Sequence, residues 1–270
     1  MTIPEWAADV PLDRPSPARM YDYYLGGHHN FAIDRAAAEQ FLAVMPNTRV
    51  LARVNRAFLG RAVTFLAEQG IDQFLDLGSG IPTVGNVHEI VQAVRPNARV
   101  VYVDHDPVAV AHTEALLAGN PSTAALQLDV RHADELLRHP TVRRMLDLRR
   151  PVGLLMVALL HFVPASEELH CALAGLRDGL PAGSYLALSH ACSDGSDDAV
   201  TEAGTGVYAR TRSGLHPRSA AAIGAFFNGW ELVAPGLVHL PLWHPSGPDD
   251  LLLQTPEQSF LLGGVARKQA

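Results

Sequence analysis

The residues best suited to chemistry lie where apolar runs end. Residues 74–77 read Phe-Leu-Asp-Leu and break at once into Gly78-Ser79-Gly80. From Val87 the pattern becomes helical, through Ile90, Val91 and Val94. A strand, a glycine turn and a helix in that order make a nucleotide-binding crossover. The glycines let backbone approach a ligand that a Cβ would block. The helix behind them offers free N–H groups and a positive dipole end. A dinucleotide turn needs G-x-G-x-x-G, but the third position here is Thr83, preceded by Pro82. Asp76, two residues ahead of Gly78, would repel a pyrophosphate but suits an ammonium group. S-adenosylmethionine (SAM) carries an α-amino group and a sulfonium and has no phosphate, so D-x-G-x-G after a strand fits SAM better than NAD.

Three further groups sit at predicted strand ends. Asp104 follows the apolar run 99–103 and lies 24 residues beyond Gly80. An acid there is placed to accept both ribose hydroxyls of an adenosine. Asp129 follows the run 125–128; it can accept from an adenine N6 amino group while Val130 offers a backbone N–H, and it can cap the helix predicted at 133–138, the two roles being compatible. His161 ends the run 151–160, and ligands of open α/β sheets bind beyond the carboxyl ends of strands. It is the candidate general base, since an imidazole titrates near neutral pH; the alternative is a structural histidine at a strand end. His28-His29 has no third ligand at a helical or turn spacing, so no metal is expected. There is no G-x-S-x-G elbow for a hydrolase.

These groups need a scaffold. Residues 1–17 carry four prolines and read as an extended arm. A short helix in 18–31 stops at Gly26-Gly27, with Tyr21, Tyr24 and Leu25 on one side. It is either an anchor helix on the core or a lid whose aromatics and Asn30 surround the glycine pair. Helices follow at 34–45, capped by Asp34, and at 48–70, where Arg49, Arg53, Asn55 and Arg56 read as a polar face. After the glycine turn, strand and helix alternate: strands at 99–103, 125–128, 151–160 and 183–190, helices at 108–118, 133–138 and 166–180. Residues 192–205, rich in Ser, Asp and Gly, read as a mobile connection. A helix at 217–227 and strands at 230–240 and 259–265 close the chain. The predicted architecture is α/β.

The 270 residues suffice for one large domain or a domain with an extension. A division into an N-terminal arm and helical cap, 1–70, and a nucleotide-binding domain, 71–270, follows. The net charge of −7 argues against nucleic acid as a partner. The longest wholly apolar run is too short for a bilayer, and the N-terminus has no secretory pattern. Two cysteines, Cys171 and Cys192, need no disulfide, so a cytoplasmic location is expected.

The stretches ARMYDYYLGGHHNF, NRAFLGRAV, LDLGSGIPTVGNVHE, VVYVDHDPVAV, LLMVALLHF and GWELVAPGLV together resemble an actinobacterial family of class I SAM-dependent methyltransferases formerly catalogued as a domain of unknown function. The resemblance implies a Rossmann-like, mostly parallel seven-strand sheet of order 3-2-1-4-5-7-6, with the last strand antiparallel and the N-terminal helices over the cofactor. It implies that Asp76, Gly78, Ser79 and Gly80 line the methionine end of SAM and that Asp104 holds the ribose. His105 would flank the adenine, and Asp129 and Val130 would fix its edge. Ala158, Leu159 and His161 would line the wall near the methyl group, with Tyr21 and Asn30 positioning the acceptor. Two positions depart from the family pattern: His28 stands for a lysine and Phe162 for a second histidine. The expected activity is methyl transfer from SAM to an unidentified, small acceptor, leaving S-adenosylhomocysteine (SAH). The alternatives are a non-catalytic SAM-binding module and an NAD-dependent oxidoreductase.

Overall fold

A computed structural model describes residues 13–82 and 85–269. Most of the predicted proline-rich arm and Thr83 therefore lie outside the described residues. Three helices come first: α1 (Pro17–Tyr24), α2 (Ala32–Val44) and α3 (Thr48–Glu68). Alternation follows, as β1 (Gln73–Leu77), α4 (Val87–Val94), β2 (Arg99–Asp104), α5 (Pro107–Leu117), β3 (Thr123–Gln127), α6 (Ala133–Arg138), α7 (Pro140–Met145), β4 (Gly153–Val157), α8 (Glu167–Gly179) and β5 (Tyr185–Ala191). The chain ends through α9 (Asp198–Tyr208), α10 (Ala220–Ala225), β6 (Glu231–Leu232), β7 (Val238–His239) and β8 (Leu261–Arg267).

The sheet runs β3-β2-β1-β4-β5-β8-β6, with β7 also paired to β8. The strands from β3 to β5 are parallel, and β8 is antiparallel to β5, β6 and β7. The expected order holds, with one strand more than seven. The single strand predicted at 230–240 is two short ones, because Pro235 has no N–H to give a ladder and Gly236 turns left-handed at φ +93°.

All five residues of β1 are buried, as a central parallel strand requires. Leu75 and Leu77 face one layer with Leu136, Leu169, Leu176, Ile223 and Phe227. Phe74 faces the other with Phe58, Val63, Leu66, Val91 and Trp243. Helix α3 is therefore one layer of the sandwich as well as part of the N-terminal region. Gly153 in β4 lets the layers close, since a Cβ there would meet the Phe74 ring at 2.7 Å.

Three local expectations are corrected. Asp34 stands in the first turn of α2 and is not its N-cap; its Oδ2 accepts from the Phe31 N–H at 2.9 Å. The strand predicted at 151–160 is only Gly153–Val157, because Ala158 adopts φ +55° and ends it. The stretch expected to be mobile contains α9, whose N-cap Asp197 accepts from the N–H groups of Ala199 and Val200.

Two buried carboxylates fasten the N-terminal helices to the end of β2. Arg19 Nε donates to Asp34 at 2.9 Å and Arg19 Nη1 to Asp106 at 3.3 Å, all three side chains at most 5% exposed. Asp106 also caps α5 by accepting from the Val108 N–H. The two acids thus share one guanidinium, which gives each buried carboxylate a cationic partner.

Candidate functional site

The β1–α4 turn opens a cavity of about 710 Å³, its mouth included. Asp76, Gly78, Ser79, Gly80, Asp104, Ala158 and Leu159 line it, with Tyr21, Asn55, Arg56 and Phe162. Gly78 and Gly80 have φ +67° and +65°, which favour glycine. A Cβ on Gly78 would meet Leu159 Cδ1 at 2.5 Å, whereas one on Gly80 would stand in open space.

Asp104 organises this turn. Its Oδ2 accepts from the Gly80 N–H at 2.7 Å and its Oδ1 from the Asp106 N–H at 2.8 Å. Burial pushes its carboxyl up from the usual range, against the pull of neighbouring His105 and these two N–H groups. His105 Nδ1 stands 3.5 Å from Oδ1, and Oδ2 keeps a second lone pair for a ligand hydroxyl. Asp76 is different. Its carboxyl is buried, accepts no hydrogen bond among the described residues, and is pushed up to about 7 by burial, with Arg56 opposing and Asp104 adding to the rise. Among the described residues, the charged side chains on this cavity are thus two acids and one arginine. They suit a ligand with a net positive charge and repel a pyrophosphate.

A second, apolar cavity of about 890 Å³, its mouth included, lies alongside. Tyr21, Asn55, Ala158 and Phe162 line both cavities and so form the wall between them. A chain of hydrogen bonds stiffens that wall. The Asn55 amide donates to Tyr21 Oη at 3.0 Å, Ser189 Oγ donates to Asn55 Oδ1 at 2.6 Å, and the Ala158 N–H donates to Ser189 Oγ at 2.9 Å. The Tyr21 hydroxyl donates to the Ala52 carbonyl at 3.0 Å. Asn55, expected on a polar, solvated face of its helix, is buried. Its only signal in the sequence is a polar residue between Val54 and Phe58 on the inner side of α3.

His161 lines the second cavity. Its Nδ1 accepts from the Ala191 N–H at 3.2 Å, which fixes the neutral proton on Nε2. Burial holds its pKa well below the ordinary histidine value, and His190, Arg218 and His216 add to that. The lone pair a general base would use is therefore already committed, and the group meets the cavity as an N–H donor. His190 is locked likewise: Nδ1 donates to the Ala191 carbonyl and Nε2 accepts from Arg218, and burial takes its pKa down to about 4.

The remaining expected residues lie elsewhere. Asn30 lines neither cavity; its amide donates to Asp22 at 2.7 Å and to the Gly27 carbonyl at 3.0 Å. The glycine pair beside it is a fixed turn, since a Cβ on Gly27 would overlap the Asp22 carboxylate. Asp129 is bound by Arg131 through two side-chain contacts at 3.0 and 2.7 Å and accepts the Arg131 N–H, which pulls its carboxyl below the usual range despite partial burial. It caps the 3₁₀ turn Val130–His132, whereas the helix at 133–138, which it was expected to cap, has His132 at its N-cap. Val130 is buried in the core. His105 faces a separate cleft with Arg14, Ser16 and Arg19. The methionine-side residues and Asp104 thus share one cavity, and His105, Asp129 and Val130 do not line it.

These histidines and Asp76 have opposite effects on acid stability. As pH falls from about 6.5 to 4, the unfolded chain takes up a proton that folded His190 refuses, at a cost of roughly 3 kcal/mol. His161 acts in the same direction. Asp76, raised in the folded state, stabilises below its unfolded value and loses that contribution as pH rises toward 7. The two effects offset in the parent protein. In Asp76→Asn the urea midpoint will fall steadily from pH 6.5 to 4, and in the parent it will fall less. Parallel pH curves for the two proteins would contradict this account.

Comparison with known proteins gives a consistent picture. A family model described as S-adenosyl methyltransferase matches residues 5–269. A solved protein from Thermobifida fusca YX, provisionally called a methyltransferase, is 40% identical, with 96% of this chain and 97% of that one covered and a TM-score of 0.89. A DUF574 family protein from Streptomyces avermitilis MA-4680 is 38% identical over 94% of this chain and 98% of that one, with a TM-score of 0.88. At 14% identity and a TM-score of 0.50, human N-acetylserotonin methyltransferase, solved with SAM, shares the fold over 96% of this chain and 64% of its own. The search of curated proteins returned no significant match.

Proposed function

The chain belongs to the S-adenosyl methyltransferase family, and from that premise we propose that it moves the methyl group of SAM to a small-molecule acceptor held in the second cavity. The observation that carries this reading is the wall of Tyr21, Asn55, Ala158 and Phe162, which puts an acidic cavity against an apolar one. Bound SAM supplies a methyl group on a sulfonium, already activated for displacement. The chain has to align the acceptor and exclude water. Asp104 would hold the ribose hydroxyls while keeping the Gly78–Gly80 turn in shape. Asp76 would receive the α-ammonium, and Arg56 would face the carboxylate. Ala158 and Leu159 would bound the path of the methyl group. His161 would orient the acceptor through Nε2–H and leave its deprotonation to solvent. Residues 1–70 would act as the cap, with α1 contributing Tyr21 to both cavities. The adenine would reach toward His105, Asp129 and Val130, beyond the cavity described. No helix among the described residues is long and apolar enough to cross a membrane. With both cysteines free and the net charge acidic, we place the protein in the cytoplasm, acting on small molecules and not on nucleic acid.

Asp76 makes the cofactor step measurable. Below pH 7 its carboxyl carries a proton in the free protein, and an arriving ammonium expels it. SAM binding at pH 6 will therefore release close to one proton, seen as a dependence of the calorimetric enthalpy on buffer ionisation enthalpy. The release will vanish in Asp76→Asn. Affinity will climb as pH rises to about 7 and fall again above about 8, where the ligand's α-amino group loses its charge. A pH-independent affinity would remove Asp76 from the ammonium site. No SAM binding at any pH would remove the cavity assignment.

A further inference from the structure

The second cavity says more about its guest than that it is small. Its walls carry no Asp, Glu, Lys or Arg side chain among the described residues, although such residues make up 18% of the chain. Its rings are arranged for another ring. Phe41 and Tyr208 meet edge to face with centroids 5.0 Å apart, and Phe162 lies 5.5 Å from Tyr208. Aromatic groups favour such offset and edge contacts at 4.5–7 Å.

The tyrosine hydroxyls of this cavity turn largely to one another and to the protein. Tyr24 and Tyr208 are paired at 3.3 Å, and burial holds both phenols well above their ordinary pKa. The Tyr21 hydroxyl is held by Ala52 and Asn55. His161 lines this cavity beside Ala158 and Phe162, and with Nδ1 taken by the Ala191 N–H its proton sits on Nε2. A charged guest would lose its hydration without a counter-charge, and the cost of burying an unpaired charge is large. A flat apolar guest would gain about 25 cal/mol for each Å² it removes from water.

We propose that the acceptor is an uncharged aromatic molecule, its ring among Phe41, Phe162 and Tyr208 and its nucleophilic oxygen or nitrogen turned to Ala158 and His161. The proposal rests on the methyltransferase reading of the adjoining cavity. In the transfer, a lone pair on that oxygen or nitrogen forms the bond to the methyl carbon. The S–CH₃ bond breaks, and its electron pair stays on sulfur as the thioether of SAH. The proton displaced from the acceptor leaves to water.

The test uses 2-naphthol and 2-naphthoate, which share a ring system and differ in charge at pH 7. Each is titrated by calorimetry into the full chain, alone and with saturating SAH, and into Thr201→Trp, which fills the cavity from α9. Naphthol is expected to bind with a dissociation constant below about 1 mM, and naphthoate at least tenfold more weakly, or about 1.4 kcal/mol. Thr201→Trp is expected to weaken naphthol at least tenfold while SAH binds as before. Naphthoate binding as well as naphthol, or naphthol binding unchanged in Thr201→Trp, would overturn the proposal. So would a protein that binds SAH and not naphthol. Naphthol binding without SAH binding would instead overturn the methyltransferase reading of the neighbouring cavity and leave the ring site standing.

Discussion

Replacing Asp104 with alanine will raise the dissociation constant for SAM at least a hundredfold, about 2.7 kcal/mol. The size follows from the two roles of one carboxylate. It accepts from the Gly80 N–H at 2.7 Å and from the Asp106 N–H at 2.8 Å, and so ties the glycine turn to the start of α5. Hydrogen bonds to a charged group contribute about 1.5–3 kcal/mol each. Without them the turn loosens before any ligand arrives, and on the proposed reading the ribose would lose its acceptor as well. Asp104→Asn keeps one carbonyl oxygen and should lose about tenfold. Titration with SAH, on proteins shown to be folded by circular dichroism, reads both values. A dissociation constant for the alanine variant within threefold of the parent would mean that neither role is real.

Arg19→Met will cost about 3–5 kcal/mol of stability, the range seen when one partner of a buried ion pair is removed. Arg19 reaches Asp34 in α2 and Asp106 beyond β2, and both acids are buried. The loss leaves two carboxylates facing each other's elements in low dielectric. A fall of roughly 10 °C in Tm is expected for a chain of this size. The control is the triple variant with Asp34→Asn and Asp106→Asn. It removes the stranded charges and should recover at least half of the loss. If the triple variant is no more stable than Arg19→Met, the cost lies in packing and not in charge.

Much of the cofactor side can be read from residues alone, because local rules operate there. Asp76, Gly78 and Gly80 follow from a strand ending in a left-handed turn, and Asp104 from the end of the neighbouring strand. The acceptor side could not be read in this way. Its wall is assembled from α1, α3, β4 and β5, and no spacing in the sequence links Tyr21, Asn55, Ala158 and Ser189. Asn55 looked solvated because α3 buries two faces, one on the sheet and one on the cavity. Helix α9 was obscured by its own cap, since Asp197 beside Gly195 and Ser196 has the composition of a loop. Asp129 was legible as a capping acid, but its partner Arg131 and the turn it caps were not. The break in the penultimate strand was present in the sequence as Pro235-Gly236 and needed only to be taken as an interruption.

The wall common to the two cavities makes their occupancies dependent variables. A guest on either side packs against the same Tyr21, Asn55, Ala158 and Phe162, and whatever order it imposes is inherited by the other. Thermodynamics makes that debt symmetric: the factor by which SAM tightens the acceptor is the factor by which the acceptor tightens SAM. On the proposed reading SAH would fill the same acidic cavity without a transferable methyl group, and so would prepare the second cavity while leaving nothing to transfer. Screens for the natural acceptor should therefore be run against the SAH-loaded protein, where weak guests gain this heterotropic help and cannot be consumed.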